Sequence, residues 1–198
     1  SISADLFVDC TGFAALLIGK HYEVPFISQR DCLFNDTALA VQAKHAAEDT
    51  PIASCTKSTA QSSGWVWDIA LPTRRGIGHV FSSQHSSVEK AEDELQRYLD
   101  ADQWLAKDHP SPRKITFQPG HRETFWYKNC VAVGVSAGFV EPLEASALVL
   151  IEKSAEFISN NLPQDRSAMT VVSKRFNEII SKYWTDIVDF LKLHYVLS

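Results

Sequence analysis

The amino-acid sequence predicts an α+β chain, or a piece of a larger α/β enzyme. Strand-like alternation fills much of the chain up to residue 83, long helical patterns close it, and no regular strand–helix–strand repeat links the two. With 198 residues and 45% hydrophobic content, the chain can bury a core and does not have a disordered composition. Sequence motifs described below favour the piece of a larger enzyme.

The first predicted element is a short buried strand. The segment ADLFVDCTGF is an apolar run that ends at Asp9, and a turn follows at Gly12. A strand in first position indicates that further sequence precedes it. Over residues 32–83 we expect an antiparallel sheet of four strands, because apolar and polar residues alternate in DTALAVQA, SCTKSTAQ, GWVWDIAL and GIGHVFSS.

Helical spacing follows the sheet. The segment SSVEKAEDELQRYLDA begins with a serine cap and then places apolar residues on one face of a helix, at Ala91, Leu95 and Leu99. Next we expect a strand, a turn at Pro119 and Gly120, and a second strand that ends at Ser136. One face of that second strand is predicted to carry three valines, at positions Val131, Val133 and Val135.

Two helices are predicted to close the chain. The first runs from about Leu143 to Asn160, and the second from about Ser167 to beyond Tyr195. The inner stripe of the second helix is predicted from its helical spacing to consist of Phe176, Ile180, Tyr183, Ile187 and Phe190.

Composition argues against several classes of function. The formal net charge is −5 and no run of lysine or arginine is present, so we expect neither nucleic acid nor a membrane surface as a partner. The four cysteines are far apart and have no histidine at metal-ligand spacing, which predicts reduced thiols, no metal and a cytoplasmic protein. No signal peptide or membrane-spanning stretch is expected.

The segment from Asn129 to Ser154 is the most informative one, because an apolar strand leads into Glu-Pro-Leu-Glu and then into a helix. Backbone amides at a helix start have no partner inside the helix and favour negative charge, so they can hold an anion or a flavin edge. We expect Glu144 to be a buried carboxylate and a candidate general base or charge stabiliser. The alternative is that Glu141 and Glu144 merely stabilise a first helical turn.

A pair of tryptophans marks the predicted sheet. Trp65 and Trp67 share one face of a strand because side chains alternate with a period of two. Two neighbouring large aromatic side chains are more often part of a core than a wall of a cofactor site. The pattern alone leaves both interpretations open.

Two motifs resemble those of the flavin-dependent tryptophan halogenases. Gly64, Trp65, Trp67 and Ile69 match a Gly-Trp-x-Trp-x-Ile-Pro signature, with Ala70 in place of the proline. The segment FVEPLEASA is similar to the family's Phe-Leu-Glu-Pro-Leu-Glu-Ser-Thr-Gly, while ADLFVDCTGF and WYKNCVAVGVS resemble strands near the flavin. The chain is therefore identified as the carboxy-terminal part of a catalytic core with an α/β FAD-binding, aromatic hydroxylase-like fold.

The resemblance implies a reaction and its cofactors. In the family, reduced FAD, dioxygen and a halide (chloride or bromide) give hypohalous acid, which halogenates an indole or tryptophan-like aromatic. A flavin reductase supplies the FADH2, and a homodimer is a further expectation. The alternatives are an FAD-dependent aromatic monooxygenase of the same fold and a non-catalytic flavoprotein-like scaffold.

The resemblance also assigns site residues. Glu144 falls on the catalytic glutamate, whereas the partner lysine matches no residue of this chain. The other positions are halide-binding (Ser146, Ala147), cofactor-binding (Gly12, Val135, Leu148) and separating the substrate from the flavin (Trp65, Trp67). Ala145 replaces a serine of the family and removes one polar contact near the glutamate.

The resemblance divides the chain by role. Residues 1–30 and 125–160 are expected to be cofactor-side elements, 31–124 the antiparallel substrate-side sheet region, and 161–198 a carboxy-terminal helical region. The GxGxxG of a dinucleotide-binding unit is not present in the chain. We therefore expect the isolated piece to be inactive.

Overall fold

The structure is a computed structural model that describes residues 3–197. Residues 34–117 form one compact unit, and the described residues on either side of them form a second. The described part of the chain contains no helix that is both long and apolar enough to cross a membrane. The strands are β1 (Phe7–Asp9), β2 (Phe26–Ser28), β3 (Thr37–Lys44), β4 (Lys57–Ala60), β5 (Trp65–Ala70), β6 (Arg74–Phe81), β7 (Arg113–Thr116), β8 (Gly120–Arg122), β9 (Trp126–Tyr127), β10 (Cys130–Ala132) and β11 (Gly138–Phe139), and the helices are α1 (Val88–Ala101), α2 (Ser146–Asn160) and α3 (Met169–Leu197).

The 34–117 unit is built on a five-stranded antiparallel sheet in the order β4-β5-β6-β3-β7. The four strands predicted from alternation are confirmed, and β7 joins them at the edge beside β3. Helix α1 begins where its serine cap predicts, because the Ser87 hydroxyl accepts a hydrogen bond from the Lys90 amide at 3.2 Å. The predicted inner face of this helix, Ala91, Leu95 and Leu99, is buried in the core of the unit with Leu39, Val66, Ile77 and Phe81.

A buried polar network connects the sheet to α1. The Asp68 carboxylate accepts a hydrogen bond from Arg75 Nε at 2.9 Å and another from the Tyr98 hydroxyl at 3.0 Å. Arg75 also donates to Asp102 at 2.7 Å, just after the helix ends. Burial and the neighbouring Asp68 charge raise the pKa of Tyr98 to about 12. The phenol therefore remains a hydrogen-bond donor at neutral pH.

The second unit holds two small sheets, in the orders β1-β10-β9 and β11-β8-β2. The predicted long strand ending at Ser136 is wrong, because β10 ends at Ala132 and residues Gly134–Ser136 form a 3-10 turn. Val135 therefore does not continue the face of Val131 and Val133. The predicted turn at Pro119 and Gly120 is also wrong, since Gly120 begins β8, where a Cβ atom would overlap the Ile27 carbonyl.

The two closing helices pack on this unit. Helix α3 begins close to the predicted position, after Asp165 accepts hydrogen bonds from the amides of Ser167 and Ala168 at 2.8 and 3.0 Å. Its predicted inner stripe is correct for Phe176 and Ile180 but wrong beyond them. The buried residues that follow are Trp184, Val188 and Leu191, whereas Tyr183 and Ile187 are half-buried and Phe190 is exposed.

Aromatic contacts explain this shift in the stripe. The Trp184 ring stacks parallel to Phe125, with centroids 6.2 Å apart, and lies 5.1 Å from the His121 ring. Apolar residues stand at both three and four positions after Ile180, so periodicity cannot choose between them. The partners on the strand side select Trp184.

Candidate active site

The turn after β1 is organised by the Asp9 carboxylate. Asp9 is fully buried and accepts hydrogen bonds from the Thr11 hydroxyl at 2.6 Å and from the amides of Thr11, Leu17 and Ile18 at 2.8–3.0 Å. Burial alone would raise the pKa of Asp9, but these hydrogen bonds outweigh it and hold the pKa below its ordinary value. The carboxylate therefore stays charged and shapes the loop.

Gly12 lies in the turn that Asp9 holds. Its φ of +66° is in the left-handed region, and a Cβ placed there would meet no atom within 4 Å. The backbone conformation, and not crowding, is what favours glycine here. The open side of the turn leaves room for a ligand to approach the backbone.

A second turn packs against the first. Its Ser136 hydroxyl donates to the carbonyls of Asp9 and Val133, and β10 runs parallel to β1 with Asp9 opposite Ala132. The 3-10 turn that carries half-buried Val135 thus lies beside the turn that carries Gly12. Two residues that the resemblance assigns to the cofactor are brought together in this way.

Glu144 lies in a 3-10 turn that spans Leu143–Ala145 and precedes α2. The helix itself begins at Ser146, three residues after the predicted start. The expectation that Glu144 is a buried carboxylate is wrong, because its side chain is exposed and the buried carboxylate of the motif is Glu141, at 2% exposure. Among the described residues, no hydrogen bond or ion pair holds the Glu144 carboxylate.

Three residues that the resemblance assigns to halide or cofactor binding lie at the start of α2. Ser146 is buried, and its hydroxyl donates to the Leu143 carbonyl at 3.1 Å, which closes the preceding turn. Ala147 is half-buried, and Leu148 is 66% exposed. A cavity of about 50 Å³ is lined by residues of the Val135 turn, α2 and α3, including Val135 and Ala147. Val135 and Ala147 are therefore neighbours.

The tryptophan pair lies in the 34–117 unit, on β5. Trp65 is buried and Trp67 half-buried, and the two ring centroids are 6.3 Å apart with planes inclined at 64°. Gly78 on β6 is paired with Trp67 on β5, and a Cβ on Gly78 would overlap the Trp67 indole ring. Sequence reasoning missed Gly78, although a glycine opposite a tryptophan in neighbouring strands is a detectable signal once the register is known.

The described residues contain no group of three or more histidine, cysteine or acidic side chains arranged to bind a metal ion. The thiols of Cys10, Cys32, Cys55 and Cys130 are unpaired.

Replacement of Asp9 by asparagine is expected to loosen the first turn. The asparagine side chain keeps one acceptor oxygen but loses the charge. We therefore expect the hydrogen-exchange protection factors of the Leu17 and Ile18 backbone amides to fall roughly a hundredfold, a loss of about 3 kcal/mol. Hydrogen exchange of residues 7–24 in the full-length protein measures this. Asp5→Asn is the control, because that carboxylate is exposed and pairs with Arg166 on the surface.

The contribution of Asp9 has a defined pH dependence. Because its folded pKa is lowered, the stabilisation is present above the unfolded pKa of about 3.9 and is lost as pH falls through the folded value. The wild-type loop should therefore lose protection in acid below about pH 4, while Asp9→Asn should lack this transition. An identical acid transition in both proteins would contradict the assignment.

Solved structures of flavin-dependent halogenases share this fold. A tryptophan halogenase from Shewanella frigidimarina NCIMB 400 superimposes with a TM-score of 0.92 at 50% identity, covering 100% of this chain and 37% of that one. The flavin-dependent halogenase BrvH from Brevundimonas sp. BAL3 has a TM-score of 0.90 at 41% identity, covering 100% of this chain and 39% of that one. The fold is thus that of one mixed α/β portion of a flavin-dependent halogenase.

The family follows from the sequence comparison. A family model for tryptophan halogenase matches residues 1–198. Tryptophan 7-halogenase KtzQ from Kutzneria sp. (strain 744) is 38% identical over 198 residues, which are 100% of this chain and 36% of that protein. The chain belongs to the tryptophan halogenase family, which confirms the resemblance drawn from its motifs. It spans just over a third of the length of such relatives.

Proposed function

We propose that the full-length protein is an FADH2-dependent halogenase that acts on an indole or tryptophan-like aromatic with a halide and dioxygen. The observation that carries this proposal is the juxtaposition, in a member of the family, of the Gly12 turn, the Val135 turn and the start of α2. Relatives named tryptophan 7-halogenase and tryptophan 6-halogenase support the aromatic substrate class.

The residues that would hold FAD fit such a group. The open left-handed turn at Gly12 and the exposed Leu148 offer backbone and apolar surface to a flat ring system, with half-buried Val135 beside the turn. These features support an aromatic hydroxylase-like FAD-binding fold for the whole enzyme. When bound, reduced FAD supplies the electrons with which dioxygen and halide give hypohalous acid.

The halide would lie at the first turn of α2. The Ser146 and Ala147 amides are in the first turn of a 15-residue helix, where donors have no partner inside the helix and the helix dipole favours an anion. The Ser146 hydroxyl is already used in closing the turn before the helix. Backbone amides are therefore the proposed halide ligands, whatever the side chains.

Glu144 is the proposed catalytic carboxylate. Its carboxylate is exposed and has no hydrogen-bond or ion-pair partner among the described residues, so a substrate can reach it. A carboxylate placed beside the ring can stabilise positive charge that develops during electrophilic substitution and can accept the proton that leaves. Trp65 and Trp67 are proposed to keep the substrate away from the flavin.

The remaining parts of the proposal are a separate flavin reductase as the source of FADH2 and a cytoplasmic location. Four unpaired thiols are typical of a protein kept in a reducing compartment, which supports the location.

Substitutions at the start of α2 test whether backbone amides or side chains bind the halide. Ser146→Ala should leave halide affinity nearly unchanged, whereas Ala147→Pro removes a donor and should weaken it about tenfold. The halide dependence of turnover and anomalous scattering from bromide in crystals of each variant measure the two effects. If Ser146→Ala alone abolished halide dependence, the hydroxyl would be the ligand.

The function itself is tested by product analysis. The full-length enzyme would be incubated with a flavin reductase, NADH, FAD, oxygen, tryptophan or indole, and either chloride or bromide. Mass spectrometry should show a product with the isotope pattern of the halogen supplied. Incorporation of oxygen instead would indicate a monooxygenase, and flavin binding without any product would indicate a non-catalytic scaffold.

A further inference from the structure

The turn that carries Glu144 has an unusual backbone. Glu144 (φ 55°, ψ 22°) and Ala145 (φ 53°, ψ 26°) are consecutive residues in the left-handed region, and neither is glycine. Such a conformation is unfavourable for residues with a Cβ, so it persists only where the surroundings determine it strongly. Both ends of the turn must therefore be held.

The carboxy-terminal end of the turn is held by local contacts. The Ala145 amide donates to the Pro142 carbonyl at 3.1 Å, and the Ser146 hydroxyl donates to the Leu143 carbonyl at 3.1 Å. The Leu143 side chain is buried as well. These contacts tie the turn to α2.

The amino-terminal end is held by a contact between residues far apart in sequence. Glu141 is 2% exposed, and its Oε2 accepts a hydrogen bond of 2.5 Å from the Tyr195 hydroxyl on the last turns of α3. Pro142, with its restricted φ, joins this buried carboxylate to the turn. A hydrogen bond between a hydroxyl and a buried carboxylate is short and strong.

We propose that Glu141 is a positioning residue which, with Tyr195 as its anchor, sets the place of the Glu144 carboxylate. This inference rests on the proposed function, because it takes Glu144 to be the catalytic carboxylate. Glu144 projects from a turn where its own side chain has no partner among the described residues, so its position depends on the backbone. That backbone is connected through Glu141 to α3, whose Trp184 and Phe176 side chains pack on β8 and β9 of the same unit.

The test compares variants of the full-length enzyme. Tyr195→Phe removes the hydroxyl that donates this hydrogen bond, and Glu141→Leu removes the carboxylate that accepts it. Glu141→Gln keeps a side-chain oxygen that can accept a hydrogen bond from the Tyr195 hydroxyl. Tyr195→Phe and Glu141→Leu should lower kcat roughly tenfold or more, since small misplacement of a catalytic group is costly, while KM for the aromatic substrate and FAD affinity stay within about twofold. Glu141→Gln should retain most of the wild-type kcat.

Two controls distinguish positioning from general stability. Tyr183→Phe makes the same change on the same helix, at a half-buried position about three turns before Tyr195, and should leave kcat unchanged. Hydrogen exchange of residues 139–150 should increase in Tyr195→Phe and not in Tyr183→Phe. On a Glu144→Gln background, Tyr195→Phe should cause no further loss, because the anchor acts through Glu144.

The two proposals fail in different ways. If the wild-type enzyme makes no halogenated product, the proposed function is wrong whatever the variants do. If the wild type halogenates but Tyr195→Phe has normal kcat, or lowers the rate equally with and without the Glu144 carboxylate, Glu141 and Tyr195 do not position Glu144.

Discussion

Glu144→Gln in the full-length enzyme is expected to reduce halogenation about a hundredfold, the loss typical when one preorganised electrostatic group is removed. Glutamine keeps the shape of the side chain but cannot carry the charge or accept the proton. FAD binding and reoxidation should remain normal, because the Gly12 and Val135 turns that would contact the flavin do not use the Glu144 carboxylate. Rapid-mixing spectroscopy of the flavin and product analysis would measure the two processes separately.

Glu152→Gln is the matched control for this variant. Glu152 is an exposed glutamate further along α2, and its replacement should change neither process. Should Glu144→Gln lose FAD binding, or halogenate at the normal rate, Glu144 would be a structural carboxylate and the proposed active site would be wrong.

Gly78→Ala is expected to destabilise the sheet that carries the tryptophan pair. A Cβ at this position would overlap the Trp67 ring and come within 2.7 Å of the Leu39 carbonyl, so either the ring or β3 must move. Forcing extra atoms into a packed site costs about 1–3 kcal/mol. Thermal unfolding of the full-length protein and hydrogen exchange over residues 64–81 should both show the loss.

Gly76→Ala provides the control on the same strand. A Cβ at Gly76 meets nothing within 4 Å, and an alanine there should be neutral or slightly stabilising. If Trp67 separates substrate from flavin as proposed, Gly78→Ala should also raise the fraction of FADH2 consumed without halogenated product. Equal stability of the two variants would show that the Trp67 ring moves without cost.

Several features of the fold could be predicted because they depend on neighbouring residues. The alternation of residues 36–43 predicts β3, and the serine before Val88 predicts the start of α1. The motifs around Trp65 and Glu144 identified the family, because residue identity and order do not depend on knowing the fold. The residues assigned to the site through those motifs remain predictions.

Other features were decided by contacts between residues distant in sequence. Which glutamate of the motif is buried depends on Tyr195, 54 residues away, and the turn after β10 depends on Ser136 reaching back to the Asp9 carbonyl. The choice of Trp184 over Tyr183 follows from the Phe125 ring.

By itself, the sequence determined the family of this protein, four of the five strands of the sheet in the 34–117 unit and the approximate extent of the helices, since local periodicity and residue identity contain that information. Only the tertiary structure decided that Glu144 is exposed on a left-handed turn while Glu141 is buried. The physical reason is that burial and backbone strain are properties of packed surroundings, which a periodic pattern along one chain segment does not specify.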